Sequence, residues 1–138
     1  MSEAARLLDA NRKEVRRLVN EYCSTQRHPS LPKFVVHGPF AVDDLWKSDA
    51  SNRPGCYAIY GEDGSLRYVG MSVDNVGNRI ATHLSAATQR SLFWRQGSPA
   101  RHVDIIEVTQ PWEAPSLEGY LIDRTASLVA QRNQTGDN

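Results

Sequence analysis

Two neighbouring runs of strand-forming residues constrain the fold of this chain more than any other feature of its sequence. Residues 56–60 and 66–71 are both rich in side chains that favour β-strands. Residues 61–64, Gly-Glu-Asp-Gly, supply the turn chemistry that joins two antiparallel strands. The sequence therefore predicts a β-hairpin near the middle of the chain.

The segments after the hairpin predict two helices and one more strand. Asp74 or Asn75 can cap a helix over residues 76–88, and residues 102–108 have the composition of a third strand. Pro115 and Ser116 open a last helix that continues through about residue 131. The order strand, strand, helix, strand, helix predicts a mixed α/β layer around a small sheet. Apolar side chains expected on the buried stripes of these two helices are Ile80, Leu84, Ala87, Leu117, Tyr120, Leu121 and Leu128.

The first 25 residues predict a further helix with two distinct sides. Between residues 2 and 25 the side chains that recur at helical spacing are Leu7, Leu8, Val15, Leu18, Val19 and Tyr22. Four basic residues, Arg12, Lys13, Arg16 and Arg17, lie mostly on the other side. We favour a docked helix with a solvated face, and the alternative is an appendage that contacts phosphate or forms a dimer.

Short elements connect this helix to the hairpin. Residues 26–32 contain two prolines and predict a connector. Residues 34–37 predict a short strand that Gly38-Pro39 ends, and residues 43–46 predict a helical turn. Residues 47–54 then form a polar loop.

Length, charge and cysteine content limit the classes of protein to which the chain can belong. With 138 residues it forms one main domain, which we place at residues 34–138 after an N-terminal helix and connector at 1–33. Its net charge of zero argues against a protein that coats nucleic acid by bulk electrostatics. No apolar run approaches the roughly 20 residues of a membrane span, and the first residues lack the apolar core of a secretion signal. Cys23 and Cys56 form no CxxC pair, so we expect a reducing cytoplasm.

Two tyrosines on the hairpin are candidates for catalysis. Because strand side chains alternate between faces, Tyr57 shares a face with Ile59 and points away from Cys56 and Ala58. Tyr68 lies on the partner strand, so both phenols can point towards one site. A phenol has an unperturbed pKa of about 10 and accepts a proton only where nearby positive charge favours the phenolate.

The two predicted helices carry groups that suit a phosphodiester. Arg79 and His83 are four residues apart and share one helical face. Arginine suits a phosphate oxygen, and histidine can hydrogen-bond a tyrosine hydroxyl or the attacking water. Glu118 is predicted in the first turn of the last helix, where the helix dipole favours an ionised carboxylate. A single carboxylate with waters and substrate oxygens can hold magnesium.

Taken together, these residues resemble the GIY-YIG nuclease superfamily. The resemblance covers about residues 54–133 and depends on an ordered set: Gly55-Cys56-Tyr57, Tyr68-Val69-Gly70, Ser72, Arg79, His83, Glu118 and Asn133. It implies a small three-stranded antiparallel sheet flanked by helices. It also implies an endonuclease that uses one divalent ion, Mg²⁺ or Mn²⁺.

The resemblance further implies a role for each of these residues. Tyr57 and Tyr68 would shape or activate the nucleophile, Arg79 would clamp the phosphate, His83 would support proton movement and Glu118 would hold the metal. Gly70, Ser72 and Asn133 would support the substrate or the geometry of the site.

Three functions fit the sequence. We favour a metal-dependent endonuclease that cuts DNA with structure-selective or weak sequence preference, because the chain has no zinc-finger spacing and no helix-turn-helix pattern. An RNA-cleaving nuclease is one alternative. A catalytically inactive module that binds nucleic acid or protein on the same fold is another. A homodimer or a partner protein could use the N-terminal helix.

Overall fold

The computed structural model of the chain describes residues 1–85 and 97–128. Three α-helices and four β-strands make up this part of the chain. The helices are α1 (Glu3–Thr25), α2 (Val76–Leu84) and α3 (Glu113–Thr125). The strands are β1 (Val35–Ala41), β2 (Gly55–Gly61), β3 (Leu66–Ser72) and β4 (Ala100–Glu107). Two short 3₁₀ turns, Leu45–Lys47 and Asp49–Asn52, precede β2.

The four strands form one antiparallel sheet in the order β1-β4-β2-β3. The predicted hairpin is confirmed as β2 and β3, but the prediction of three strands is wrong because β1 adds a fourth. The predicted end of this strand at Gly38-Pro39 is also wrong, since β1 continues to Ala41 past an irregularity between His37 and Phe40. Proline is tolerated there because β1 lies at the edge of the sheet, where one missing N–H does not interrupt a ladder.

The two faces of the sheet pack against different helices. Cys56, Ala58 and Tyr60 point towards α1 and α3 and belong to the larger apolar core. Tyr57 and Ile59 point to the other face and pack with α2 and the 3₁₀ turns. This alternation confirms the face assignment predicted from the sequence.

Helix α1 is docked on the sheet, as predicted. Its side chains Val15, Leu18 and Val19 are fully or almost fully buried in the larger core. On the sheet-facing side Arg12 makes a bidentate ion pair with Asp104 of β4, at 3.0–3.1 Å. Of the apolar positions predicted to be buried, Leu7 is exposed. The ion pair between Arg12 and Asp104 therefore helps to dock α1 on the sheet of the same chain.

The helix boundaries differ from the prediction mainly at the start of α3. The helix begins at Glu113 rather than at Pro115, because the Glu113 carboxylate accepts the N–H of Gln110 and closes an earlier turn. Pro115 then lies in the first helical turn, where a missing N–H is tolerated. The predicted continuations of α2 to residue 88 and of α3 to residue 131 are wrong where the structure describes them: α2 ends at Leu84 because Ser85 has an extended backbone, and α3 ends at Thr125 and passes into a turn over residues 126–128. Residues 86–88 and 129–131 of these predictions lie outside the described residues.

Within the residues described, no helix has the length and apolar character needed to cross a membrane.

Candidate active site

The candidate site lies at one end of the sheet, beside the edge strand β3. Gly55 at the start of β2 pairs with Ser72 at the end of β3 and with Glu107 at the end of β4. We call this the Gly55 end of the sheet. Both α2 and α3 begin near it, and they contact β2 and β3 from opposite faces. Side chains from both helices can therefore meet around the β3 edge.

Three aromatic rings form the inner part of the site. The Tyr57 and Tyr68 rings stack with centroids 6.1 Å apart. The His83 ring lies 4.4 Å from the Tyr68 centroid and 6.1 Å from the Tyr57 centroid. All three side chains are at least 94% buried. The structure thus brings together the two strand tyrosines and the α2 histidine that the sequence singled out.

Gly70 provides the space that the Tyr57 phenol occupies. It is the cross-strand partner of Tyr57, and a Cβ at this position would lie 2.5 Å from the phenolic oxygen. The same Cβ would lie 2.8 Å from the Tyr68 ring. Both distances are far shorter than a van der Waals contact. Only glycine lets Tyr57 extend across β3 towards the edge of the sheet.

The Tyr57 hydroxyl is buried without a hydrogen-bond partner among the described residues. Burial raises the pKa of the Tyr57 phenol, and the negative charge of Tyr68 in its ionised form adds to this, whereas the Arg79 guanidinium opposes it. The phenol is therefore protonated in the free protein, because the cost of burial exceeds the effect of the nearby cation. The hydroxyl can donate a hydrogen bond and also has lone pairs free to accept one.

His83 is held as a neutral imidazole. Burial lowers the pKa of His83 to about 4, and the positive charge of Arg79 acts in the same direction. Neither ring nitrogen has a hydrogen-bond partner within residues 1–85 and 97–128. Unpaired polar atoms are costly in a protein interior and are therefore rare. Where they occur, a role in catalysis or ligand binding is one reason for keeping them.

Glu118 differs from its prediction in position and in electrostatics. Since α3 begins at Glu113, Glu118 is in the second helical turn rather than the first. It is half-buried, and burial raises the pKa of its carboxyl, with only partial opposition from Arg79. The predicted stabilisation of its charge by the helix N-terminus is therefore wrong, because that effect fades beyond the first turn.

Arg79 connects these groups electrostatically. Its guanidinium is exposed on α2, and its charge acts on the pKa of Tyr57, of His83 and of Glu118. The Glu118 carboxylate in turn acts on the pKa of Tyr57. Side chains from β2, α2 and α3 thus lie within electrostatic range of one cation at the β3 edge.

A polar depression opens next to Arg79 at the Gly55 end. It has a volume of about 280 Å³ and is lined by Ser72, Asp74, Asn75, Asn78, Arg79 and Thr82. The Ser72 hydroxyl accepts the N–H groups of Asp74 and Asn75, and the Asn75 side chain caps α2 through the N–H of Asn78. Ser72 therefore fixes the turn that places Arg79. The contributions of Asn78 and Thr82 were not predicted.

The donor set suits a hard, largely hydrated cation. Within the described residues, no three His, Cys, Asp or Glu side chains are grouped so that they could hold a metal ion. The carboxylate of the site is Glu118, which is half-buried with a raised pKa and whose negative charge acts on the pKa of Tyr57. A single carboxylate is typical of Mg²⁺ sites that take their other ligands from water and substrate oxygens. Asn133 lies outside the described residues.

A second group of charged residues at the Gly55 end was missed by the sequence analysis. The Glu107 carboxylate accepts hydrogen bonds from Arg53 at 2.6 Å and from His37 at 3.0 Å. These residues belong to three separate segments, and the pairing depends on β1 joining the sheet. The sequence predicted a short strand at residues 34–37 but not its pairing with β4, so it gave no means of finding the cluster.

The comparisons with known proteins agree with this architecture. A family model of the GIY-YIG catalytic domain matches residues 53–133, which is more than half of the chain. Neither a curated protein nor a solved structure matches it significantly. This chain, which carries Gly55-Cys56-Tyr57 and Tyr68-Val69-Gly70 on the β2–β3 hairpin, belongs to the GIY-YIG family of nucleases.

Proposed function

We propose that this protein is a metal-dependent endonuclease that hydrolyses phosphodiester bonds in DNA, with structure-selective or weak sequence preference. The observation that supports this most is the common electrostatic influence of Arg79 on Tyr57, His83 and Glu118. These four groups come from three elements, β2, α2 and α3, and Arg79 lies within electrostatic range of the other three. We assign catalysis to residues 34–138, with residues 1–33 as a supporting helix and connector.

In this proposal Arg79 binds the scissile phosphate. Its exposed guanidinium borders the polar depression, where a phosphate could approach from solvent. A guanidinium presents several N–H donors to phosphate oxygens and stabilises the extra charge that develops as the nucleophile attacks. The negative charge of the bound phosphate would in turn offset the effect of the Arg79 charge on the pKa values of Tyr57, His83 and Glu118.

Tyr57 and His83 manage the proton of the attacking water. The neutral imidazole of His83 has one ring nitrogen free to accept a proton or a hydrogen bond and one N–H free to donate. The Tyr57 hydroxyl orients the water. Added positive charge would lower the pKa of the phenol and so favour the phenolate, which is the form that can take up a proton. The Tyr68 ring packs against both of these rings and would hold them in place.

Glu118 would hold one Mg²⁺ or Mn²⁺ ion. The bound ion would polarise the phosphate and stabilise the leaving oxygen. Glu118 itself must be ionised for this, so its raised pKa sets the lower limit of the pH range in which the site can be loaded.

Cleavage assays with a panel of nucleic acids test this proposal. The purified chain is incubated with supercoiled plasmid, single-stranded DNA, branched DNA and RNA, with Mg²⁺, with Mn²⁺ or with EDTA. We expect metal-dependent cutting of DNA that is lost in Glu118→Gln and in Arg79→Ala. Asp123→Asn is the matched control, because Asp123 is an exposed carboxylate on the same helix.

The same assays identify each alternative. Cutting that is restricted to RNA would replace the substrate but keep the chemistry. Binding without cutting in any metal would favour an inactive module. Cutting that persists in both Glu118→Gln and Arg79→Ala would refute the assigned site.

A further inference from the structure

Exposed apolar side chains surround the Gly55 end of the sheet. Of seven large apolar residues exposed in the described parts of the chain, Val35, Val73 and Trp112 lie at this end. Val73 follows β3 directly and Trp112 precedes α3, so they lie in the two connections that lead to the catalytic helices. Of the three residues at this end, Trp112 is the most exposed, with 71% of its surface accessible to solvent. An indole left in water at this position suggests a ligand that covers it.

Trp112 is close to the residue proposed to hold the metal. Trp112 is the N-cap of α3 and lies six positions before Glu118, which corresponds to about 9 Å along the helix axis. Stacked nucleotides in one strand are spaced by about 3.4 Å. A base that contacts Trp112 would therefore lie roughly two to three nucleotides from the bond that is cut.

Arg53 places a cation at the same end of the sheet. It immediately precedes the Pro54-Gly55 start of β2, and its side chain is 56% exposed. Glu107 fixes it through a 2.6 Å bond to Nη1, and His37 holds the other oxygen of that carboxylate. An exposed guanidinium that is held in this way is suited to a phosphate in the same strand.

We propose that Trp112 stacks on an unpaired base of the substrate, two to three nucleotides from the cut, while Arg53 contacts the neighbouring backbone. This inference rests on the proposed function and specifies its substrate class as nucleic acid with an unpaired strand beside the cleavage site. A base inside a duplex is stacked on its neighbours and offers no free face to an indole. Aromatic stacking with a nearby cation is the usual means by which proteins hold unpaired strands.

A cleavage comparison tests the preference. One duplex and the same sequence with three unpaired nucleotides next to the cut are digested with Mg²⁺ by the native protein, Trp112→Ala, Trp112→Phe and Trp46→Ala. The native protein should favour the unpaired substrate, and Trp112→Ala should reduce that preference by about five- to 100-fold. Trp112→Phe should restore part of it. Trp46→Ala is the control, since Trp46 is also exposed but lies in the turn before β2.

A binding experiment decides the inference independently of cleavage. Fluorescence of the tryptophans is recorded while a single-stranded oligonucleotide is added to Glu118→Gln protein without metal. Quenching should be lost in the double variant that combines Glu118→Gln with Trp112→Phe, and it should persist in the one that combines Glu118→Gln with Trp46→Phe.

Four outcomes are distinguishable. Absence of cutting by the native protein would overturn the proposed nuclease, and the binding experiment would still test Trp112. Equal preference in native protein and Trp112→Ala would overturn the role of Trp112 even if cutting is strong. Quenching that persists in Trp112→Phe would do the same and would favour a protein partner for this surface. Loss of both the preference and the quenching would support the inference.

Discussion

Two tyrosines of β2 show how one strand assigns different tasks to the same type of residue. Tyr60 points to the α1 face, where its hydroxyl donates to Asp104 at 3.2 Å. Tyr57 points to the α2 face, where its hydroxyl is buried without a partner among the described residues. The first hydroxyl stabilises the fold, whereas the second costs stability and is available to a substrate.

Substitution of each tyrosine by phenylalanine should separate these tasks. Tyr57→Phe should leave the free energy of unfolding unchanged or raise it by up to about 1 kcal/mol, because it removes an unsatisfied polar atom. It should lower kcat by about 10²- to 10⁴-fold. Tyr60→Phe should cost roughly 1.5–3 kcal/mol with little effect on the kcat of the folded protein. Urea denaturation and plasmid cleavage measure both effects, and a stability loss in Tyr57→Phe would mean that its hydroxyl is bonded after all.

The two glutamates of α3 provide a similar contrast. Glu113 is almost buried in an ion pair with Arg27 at 2.6 Å, whereas Glu118 is half-buried with a pKa raised by burial. Glu113→Gln should lower stability by about 2 kcal/mol without abolishing cleavage. Glu118→Gln should reduce cleavage by more than about 100-fold, since even residues that only orient the ligands of a metal contribute 10- to 100-fold.

The raised pKa of Glu118 also predicts how stability and activity depend on pH. A carboxyl whose pKa is higher in the folded protein than in the unfolded chain stabilises the fold at low pH and loses that contribution as pH rises through the folded value. Glu118→Gln should therefore melt at or above the temperature of the native protein at neutral pH, and the difference should vanish below the ordinary glutamate pKa of about 4.3, where Glu118 is protonated in both states. Cleavage by the native protein should fall as pH decreases through the same range. A native protein more stable than Glu118→Gln at pH 8 would contradict this assignment.

At the scale of single residues, the sequence predicted where most of the site lies. Strand alternation predicted the common face of Tyr57 and Tyr68, and the four-residue spacing predicted the common face of Arg79 and His83. The position of Glu118 within α3 was mispredicted by two residues, which moves it from the first turn to the second, because the start of that helix depends on the contact of the Glu113 side chain with Gln110. The exposure of Trp112 depends on tertiary packing and was not predictable.

At the scale of elements, the β2–β3 hairpin is the part that positions the site. Gly70 lies opposite Tyr57 and leaves room for its phenol, since a Cβ on Gly70 would come within 2.5 Å of the phenolic oxygen. The strand pairing and this gap together aim Tyr57 at the β3 edge. Because β3 is flanked by α2 and α3, any movement of the Tyr57 phenol changes its distance from the side chains of both helices.

Alanine at Gly70 should therefore damage the site more than the fold. Gly70→Ala should displace the Tyr57 phenol, lower cleavage by at least about ten-fold and cost roughly 1–3 kcal/mol of stability. Gly119→Ala is the matched control next to Glu118, where a Cβ meets nothing within 4 Å. That change should stabilise α3 by about 0.5–1 kcal/mol and leave cleavage intact. Equal effects of the two substitutions would show that Gly70 has no special role.

The elements that the sequence did not predict are those fixed by contacts between distant segments. Residues 34–37 have strand-forming side chains, but only pairing with β4 extends β1 past Pro39 to Ala41. The Glu107 cluster with Arg53 and His37 depends on the same pairing. The hairpin, in contrast, is local in sequence, so composition and turn residues were sufficient to predict it.

At the scale of the whole molecule, charge limits how the protein can bind nucleic acid. The net charge is zero, and much of the basic side of α1 is engaged within the chain: Arg12 with Asp104, Lys13 with Asp9, and Arg17 with Glu14 and Glu21. Three of the five basic side chains of α1 are thus paired with carboxylates, and Arg6 and Arg16 remain exposed. Binding should depend on a few local contacts such as those of Arg79 and of Arg53, whose ion pair with Glu107 is made through Nη1 and leaves more than half of the side chain exposed.

The salt dependence of binding measures the number of these contacts. With two phosphates neutralised, a plot of log K against log salt concentration should have a slope of about −1.4 to −1.8. Fluorescence anisotropy of a labelled oligonucleotide with inactive Glu118→Gln protein gives this slope. Arg79→Ala should reduce its magnitude by nearly one contact, and Lys13→Ala should leave it unchanged. A slope of about −5 or steeper would indicate a broad basic surface instead.

The most direct measurement of the central claim, that side chains from α2 and α3 act on one phosphate, is a double-mutant cycle of cleavage rates. Native protein, Arg79→Ala, Glu118→Gln and the double variant are compared on supercoiled plasmid with Mg²⁺. If both groups surround the same scissile phosphate, the double variant should be no more than about ten-fold slower than the slower single variant. Losses that simply multiply would show that Arg79 and Glu118 act at separate places, and the proposed site would be wrong.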